Sequence, residues 1–222
     1  MKSDRFEKKY MISKPQAEIL RMSLRSVCRL DQDGKYWVRS LYFDTVMDDD
    51  RHDKLIGIPD RKKVRLRIYS LKSDTAKLEV KRKHYERVSK ISVPIQRDTA
   101  EGICRGDLDA DTLPESDQDI AYEWWELYNQ IRRPALIIDY YREAYCFEDS
   151  DVRITFDTDI YASDNTALYE SQTGFPLFEG GRTVLEIKYD GHLPGHIKSI
   201  LNSVDLTPVS VSKYCIGRKL FA

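Results

Sequence analysis

Cysteine, histidine and long apolar runs are all scarce in this sequence, and each scarcity removes a class of protein. The four cysteines, Cys28, Cys104, Cys146 and Cys215, form no Cys-x-x-Cys pair, and none stands near a histidine at zinc-finger spacing. They read as reduced thiols in apolar surroundings, which disfavours both a structural zinc site and a disulfide framework. His52, His84, His192 and His196 are scattered; the last two have helical spacing, but Pro194 and Gly195 interrupt it. Gly180-Gly181 reads as a turn rather than a phosphate-cradling loop. No apolar run approaches the roughly 20 residues that a membrane-spanning helix requires. Met1-Lys2-Ser3-Asp4-Arg5 leads straight into a strand-like stretch without an apolar signal core, so the cytoplasm is the expected location, with a membrane-protein partner left open.

Net charge is nearly absent as well. The 36 basic and 37 acidic residues leave a formal charge of -1, which gives no reason to expect nucleic-acid binding over the whole surface. Balance says nothing about distribution, so a local cationic site stays open. With 33% charged and 41% hydrophobic residues the chain lies outside the disordered class. A length of 222 residues suits one domain, 1–222.

What the chain does have is alternation of period two, in short blocks separated by turn residues. Strands are expected at 5–11, 36–44, 63–69, 77–83, 87–94, 135–145, 152–160 and 183–189. Ser13-Lys14-Pro15-Gln16 carries a capping box, and Ala17, Ile19, Leu20, Leu24 and Val27 give the helix that follows an apolar stripe. Shorter helices are expected at 51–56, 99–106, 120–131 and 195–202. Trp124 and Trp125 read as packing residues of the third of these. Strands in consecutive runs without regular crossover helices imply an antiparallel sheet. Eight antiparallel strands can close into a barrel whose interior just holds side chains or a narrow ligand. The expected fold class is therefore α+β, a closed eight-stranded antiparallel β-barrel with a few flanking helices.

The residues that alternate with the apolar ones carry the chemistry. Lys63, Arg65 and Arg67 alternate with Val64, Leu66 and Ile68; Glu79, Lys81 and Lys83 alternate with Leu78 and Val80. Arg5, Glu7 and Lys9 share one parity, Arg153, Thr155 and Asp157 another, and Glu186 and Lys188 a third, with Arg142 in Tyr140-Tyr141-Arg142-Glu143. A charged face opposite an apolar one ordinarily means a sheet with one solvated side. Here long basic residues at successive same-face positions would repel unless anions compensate, and many of the acids lie elsewhere, at 44–60, 107–119 and 148–151. Facing inward, the same residues would focus positive potential. Arginine forks and lysine ammoniums suit phosphate oxygens, and sparse carboxylates among them suit a divalent metal that bridges phosphates.

Arg5-Phe6-Glu7-Lys8-Lys9-Tyr10, Ser40-Leu41-Tyr42-Phe43-Asp44, Arg65-Leu66-Arg67, Leu78-Glu79-Val80-Lys81, Leu185-Glu186-Ile187-Lys188 and Ser212-Lys213-Tyr214 follow one another in that order. The set resembles the catalytic domain of the vacuolar transporter chaperone (VTC) polyphosphate polymerases, within the CYTH-like triphosphate tunnel metalloenzymes, over nearly the whole chain. The resemblance implies that Lys9, Arg65, Arg67, Lys81, Arg142, Arg153 and Lys213 hold the triphosphate or product chain and carry catalysis. It implies substrate contacts at Arg5, Lys83, Lys90, Tyr140, Lys188 and Ser212, with Arg5 and Tyr140 nearer the nucleotide and Ser212 and Lys213 closing one end of the tunnel. Glu186 would coordinate Mn2+ or Mg2+. Two departures stand out. Arg5 replaces the first glutamate of the superfamily's Glu-x-Glu-x-Lys opening, and Ser210 stands where some relatives carry a base. The implied activity transfers the ATP γ-phosphate to a growing polyphosphate chain, so the implied partners are ATP and polyphosphate or triphosphate, not nucleic acid. A triphosphatase or polyphosphate hydrolase on the same fold, and a non-catalytic polyphosphate- or inositol-phosphate-binding module, remain alternatives. A cyclase is a weaker reading, since nothing marks a site for a ribose hydroxyl.

Overall fold

Residues 5–85, 87–108, 118–147 and 150–221 are described in the computed structural model. The elements run β1 (Arg5–Ile12), α1 (Lys14–Leu24), β2 (Arg29–Asp44), α2 (Asp49–Ile56), β3 (Asp60–Ile68), β4 (Thr75–His84), β5 (Arg87–Gln96) and α3 (Arg97–Arg105). They continue with α4 (Ala121–Tyr128), β6 (Arg133–Cys146), β7 (Arg153–Ser163), β8 (Phe175–Pro176), β9 (Thr183–Asp190), α5 (Gly195–Leu201) and α6 (Lys213–Arg218). Each strand read from alternation is present. β2 begins at Arg29 rather than Tyr36, because its first half is a polar run without alternating apolar residues. α1 starts as the capping box requires: the Gln16 N–H donates to Ser13 Oγ at 3.4 Å, and the Ser13 N–H donates to Gln16 Oε1 at 2.9 Å.

The strands pair in the order β1-β9-β7-β6-β2-β3-β4-β5, with β8 beside β7. The registers described for β1–β9, β7–β9, β2–β3, β3–β4 and β4–β5 are all antiparallel. This corrects the expected closed eight-stranded barrel. The sheet has nine strands among the described residues, and its pairing path is open, ending at β1 and β5. β5 has the marks of an edge strand. Most of its residues are exposed, it carries Arg87 and Lys90, and it includes Pro94, which has no N–H to offer a further neighbour. The outer side of β1 is met by a short segment, where the Val209 N–H donates to the Lys9 carbonyl at 2.8 Å.

The chain forms two compact units. The first comprises Met1–Trp37, Tyr140–Ile160 and Pro176–Ser212. Its core is the apolar parity of β1, β7 and β9 (Tyr10, Ile12, Ile154, Phe156, Leu185, Ile187) covered by Ala17, Leu20 and Leu24 of α1 and Ile197 and Leu201 of α5. Each fully buried aliphatic side chain there contributes about 1.5–3 kcal/mol. The second unit comprises Val38–Asp139, Tyr161–Phe175 and Lys213–Ala222. It buries Val64, Leu66, Ile68, Leu78 and Val80 of β3 and β4. α4 buries Trp124 and Leu127 in this unit and is tied to it by ion pairs from Lys62 to Glu126 (2.6 Å) and Arg82 to Glu123 (2.5 Å). Trp125 points outward, 52% exposed, so of the two tryptophans only Trp124 packs inside. The four cysteines are free thiols, and burial pushes Cys28 up to about 11. No helix among the described residues is long and apolar enough to cross a membrane.

α6 falls within the closing stretch 210–220. It depends on Gly217, where a Cβ would stand 2.8 Å from Leu136 Cδ2, 2.9 Å from Ile138 Cδ1 and 3.1 Å from Ala162 Cβ. Gly217→Ala is therefore expected to lower stability by about 1–3 kcal/mol, overpacking outweighing the helix propensity that alanine gains. Chemical denaturation of the two proteins at neutral pH measures the difference.

Candidate functional site

In the first unit, the antiparallel registers set the charged parity in rows. Lys9 lies opposite Glu186, which lies opposite Thr155; Glu7 lies opposite Lys188, which lies opposite Arg153. Same-face residues directly opposed across strands are near enough to interact, and here they do. Lys9 Nζ is 3.0 Å from Glu7 and 3.4 Å from Glu186, and Lys188 Nζ is 2.7 Å from the other oxygen of Glu186. Arg142 on β6 holds Asp157 with a two-pronged grip at 2.7 and 2.8 Å, and its guanidinium sits over the Tyr140 ring at 5.2 Å. Arg153 reaches Asp31 at 2.5 Å. Glu186 is 8% exposed. Burial pushes its carboxyl up, but Lys9, Lys188 and Arg142 outweigh that and hold it well below the usual carboxylate range.

In the second unit, the same parity on β2, β3, β4 and β5 gathers a second group around Glu79, which is 2% exposed. Arg65 pairs with Glu79 through Nε and Nη2, both at 2.7 Å, Arg67 Nη1 lies at 3.4 Å, and Lys90 donates to the remaining oxygen. Arg65 Nη1 also donates to the Tyr42 hydroxyl at 3.0 Å, and Arg67 Nε to Ser40 Oγ at 3.2 Å. One carboxylate thus faces three cations. Burial pushes Glu79 up, and Arg65, Arg67 and Lys90 overcome it, holding the carboxyl at about 2. Lys63, Lys81 and Lys90 form a further row across β3, β4 and β5. Tyr42 is stacked on Tyr214 of α6 with centroids 5.1 Å apart, and the Tyr214 hydroxyl donates to Asp44 at 2.6 Å. Burial alone would raise the Tyr42 phenol; Arg65, Lys63, Arg67 and Lys213 bring it down to about 8.

Most of the residues singled out in the sequence therefore fall into one or other group. Lys9, Arg142, Tyr140, Arg153, Glu186 and Lys188 belong to the first; Arg65, Arg67, Lys81, Lys90 and Lys213 belong to the second. Lys83 stands further along β4, opposite Arg61 and Val88. Ser212 is buried immediately before α6. Arg5 pairs with Asp190 by its backbone, and its side chain lies outside the described residues. Lys90, whose register the sequence leaves open, is set opposite Lys81. Three contributors do not stand out as site residues in the sequence: Glu79, Tyr42 and Thr155. For Glu79 a signal exists. Leu78-Glu79-Val80-Lys81 and Leu185-Glu186-Ile187-Lys188 share one pattern, and each sets its glutamate at the centre of a cationic group.

The donor chemistry at Glu186 suits the expected divalent metal. Magnesium and manganese favour oxygen ligands, and magnesium in particular is commonly held by one or two carboxylates together with substrate phosphates. Glu186 supplies a carboxylate whose pKa is held below the usual range, and in the same row the buried Thr155 Oγ1 has no hydrogen-bond partner. Among the described residues no three His, Cys, Asp or Glu side chains cluster in a way that would cage an ion without substrate. The residues thus fit a metal that binds together with phosphates.

Glu79 also makes stability depend on acid. Its folded pKa lies below the unfolded value, so its contribution is complete above about 4.5 and disappears as pH falls towards about 2. That contribution is on the order of 3 kcal/mol. Glu79→Gln is expected to lose it at pH 7 and to flatten the decline between pH 4.5 and 2, which urea unfolding across that range measures.

Comparison with solved structures finds a candidate adenylate cyclase from Bacillus halodurans with a TM-score of 0.56 at 13% identity, covering 92% of this chain and 92% of that one. That likeness is one of fold alone. The PH1819 protein from Pyrococcus horikoshii OT3 gives 0.44 at 16% identity over 90% of this chain and 85% of its own. A candidate adenylate cyclase from Vibrio parahaemolyticus gives 0.45 at 11% over 90% and 83%. No curated protein matches. The family described as the VTC domain matches residues 4–222, in agreement with the ordered motifs, and this chain belongs to that family.

Proposed function

We propose that this protein is a polyphosphate polymerase that transfers the γ-phosphate of ATP to a growing polyphosphate chain. The observation that carries this reading is the convergence of basic side chains on two buried glutamates, Glu79 and Glu186. Glu79 and Glu186 are buried, while the lysines and arginines that converge on them, Arg67 apart, keep part of their surface exposed to a ligand. Around Glu79 three cations, Arg65, Arg67 and Lys90, face one carboxylate, and phosphate oxygens would complete that balance. Membership of the VTC domain family supports the same substrate class.

Phosphoryl transfer asks a protein mainly for alignment and neutralisation of charge. An oxygen of the terminal phosphate of the chain attacks the γ-phosphorus in line. The bond from that phosphorus to the bridging oxygen breaks, its electron pair stays with ADP, and a new P–O–P link lengthens the polymer. Arg65, Arg67 and Arg142 offer planar forks to non-bridging oxygens, while Lys9, Lys81, Lys90 and Lys188 offer compact charge. Arg153 and Lys213 add to the grip of their own units. Glu186 would hold Mn2+ or Mg2+, which when bound offsets charge on the phosphate oxygens.

Incubating purified protein with ATP and Mn2+ and sizing the product on a gel tests the proposal. A ladder of long polymer is expected, abolished by chelation and reduced at least about 100-fold by Arg65→Ala or Glu186→Gln. Release of phosphate without polymer would assign a triphosphatase instead. Tight tripolyphosphate binding without turnover would assign a binding module. Full activity in either variant would remove these residues from the mechanism.

A further inference from the structure

Thr155 lies on β7 between Arg153 and Asp157, on the charged parity, and its partner across the ladder to β9 is Glu186. Lys9 faces Glu186 from the other side, so Lys9, Glu186 and Thr155 form one row across three strands. Thr155 is 4% exposed, and its Oγ1 has no hydrogen-bond partner. Its charged neighbours are all engaged: Arg153 with Asp31, Asp157 with Arg142, and Glu186 with Lys9 and Lys188. A buried hydroxyl without a partner is a cost to the free protein, because folding strips its water and returns nothing. Valine would keep the β-branched shape that suits the strand and avoid that cost. The hydroxyl therefore calls for a partner from outside the chain.

We infer that Thr155 Oγ1 donates a hydrogen bond to a non-bridging phosphate oxygen seated beside Glu186, which makes Thr155 a substrate-positioning residue. The inference rests on the reading that this face receives a chain of phosphates. A neutral donor is the suitable choice at this position. A lysine would tie up the Glu186 carboxylate and a carboxylate would repel the phosphate, whereas a hydroxyl adds directionality without altering the charge balance.

Titration calorimetry with inorganic tripolyphosphate, with and without Mn2+, tests this alongside thermal unfolding of the ligand-free protein. Thr155→Val is expected to weaken tripolyphosphate binding about tenfold or more while raising the unfolding midpoint by roughly 2–4 °C. Thr155→Ser is expected to restore affinity. A purely structural threonine gives the opposite sign, a lower midpoint with unchanged affinity. The inference is overturned if Thr155→Val binds as tightly as the unaltered protein, if it unfolds at a lower temperature, or if Thr155→Ser binds as weakly as valine. Unaltered protein that binds tripolyphosphate in a Thr155-dependent way but makes no polymer from ATP removes the polymerase reading and leaves this inference standing. Failure to bind tripolyphosphate at all removes both.

Discussion

A guanidinium or ammonium group taken out of water must meet an anion, and that requirement organises this protein. Strand alternation places a basic face opposite an apolar one, and the fold buries the glutamates at the centre of the basic face. Isolated charges cannot be buried at tolerable cost. In each unit a single glutamate, Glu186 or Glu79, answers several cations at once. One carboxylate cannot saturate three cationic groups whose donors exceed its lone pairs. On the proposed reading, a phosphate entering there competes with the glutamate rather than meeting a neutral wall.

The rest of the fold keeps those side chains in place. The Ser13–Gln16 capping box starts α1 directly after β1, so the helix turns back over the apolar parity of the strand that carries Lys9. That cover fixes the register of β1 against β9, and a slip of one residue would send Lys9 into the core. In the second unit, the close approach of Gly217 to Leu136 and Ile138 seats α6, which brings Tyr214 onto Tyr42 and Asp44. Tyr42 is in turn held by Arg65. Packing far from the charges thus determines the orientation of the charged groups.

Much of this was legible in the sequence. Alternation at 63–69 and 77–83 located β3 and β4 and separated their charged parity from the apolar one. The ordered motifs identified the family. The closure of the barrel was not legible. Strand number and periodicity show that a sheet can curl, whereas pairing between its first and last strands depends on twist, stagger and edge chemistry such as Pro94. Glu79 stands in the motif Leu78-Glu79-Val80-Lys81, yet nothing local marks it as a hub, because a lone glutamate among bases looks the same whether it pairs with one arginine or three cations. Beyond its place on the charged parity with Arg153 and Asp157, Thr155 gave no signal, since threonine is an ordinary strand former and only burial shows its hydroxyl to be without a partner.

By itself, the amino-acid order determined which residues share a strand face, where α1 begins, and that basic side chains segregate from apolar ones, since these follow from the two-residue period of a strand and from local capping. Tertiary structure alone decided which strands lie side by side, and hence that Lys9, Glu186 and Thr155 form one row and Lys63, Lys81 and Lys90 another. It also decided that Glu79, Glu186 and Thr155 are buried within the charged face. Register and burial arise from contacts between residues far apart in the chain, and no local pattern encodes them.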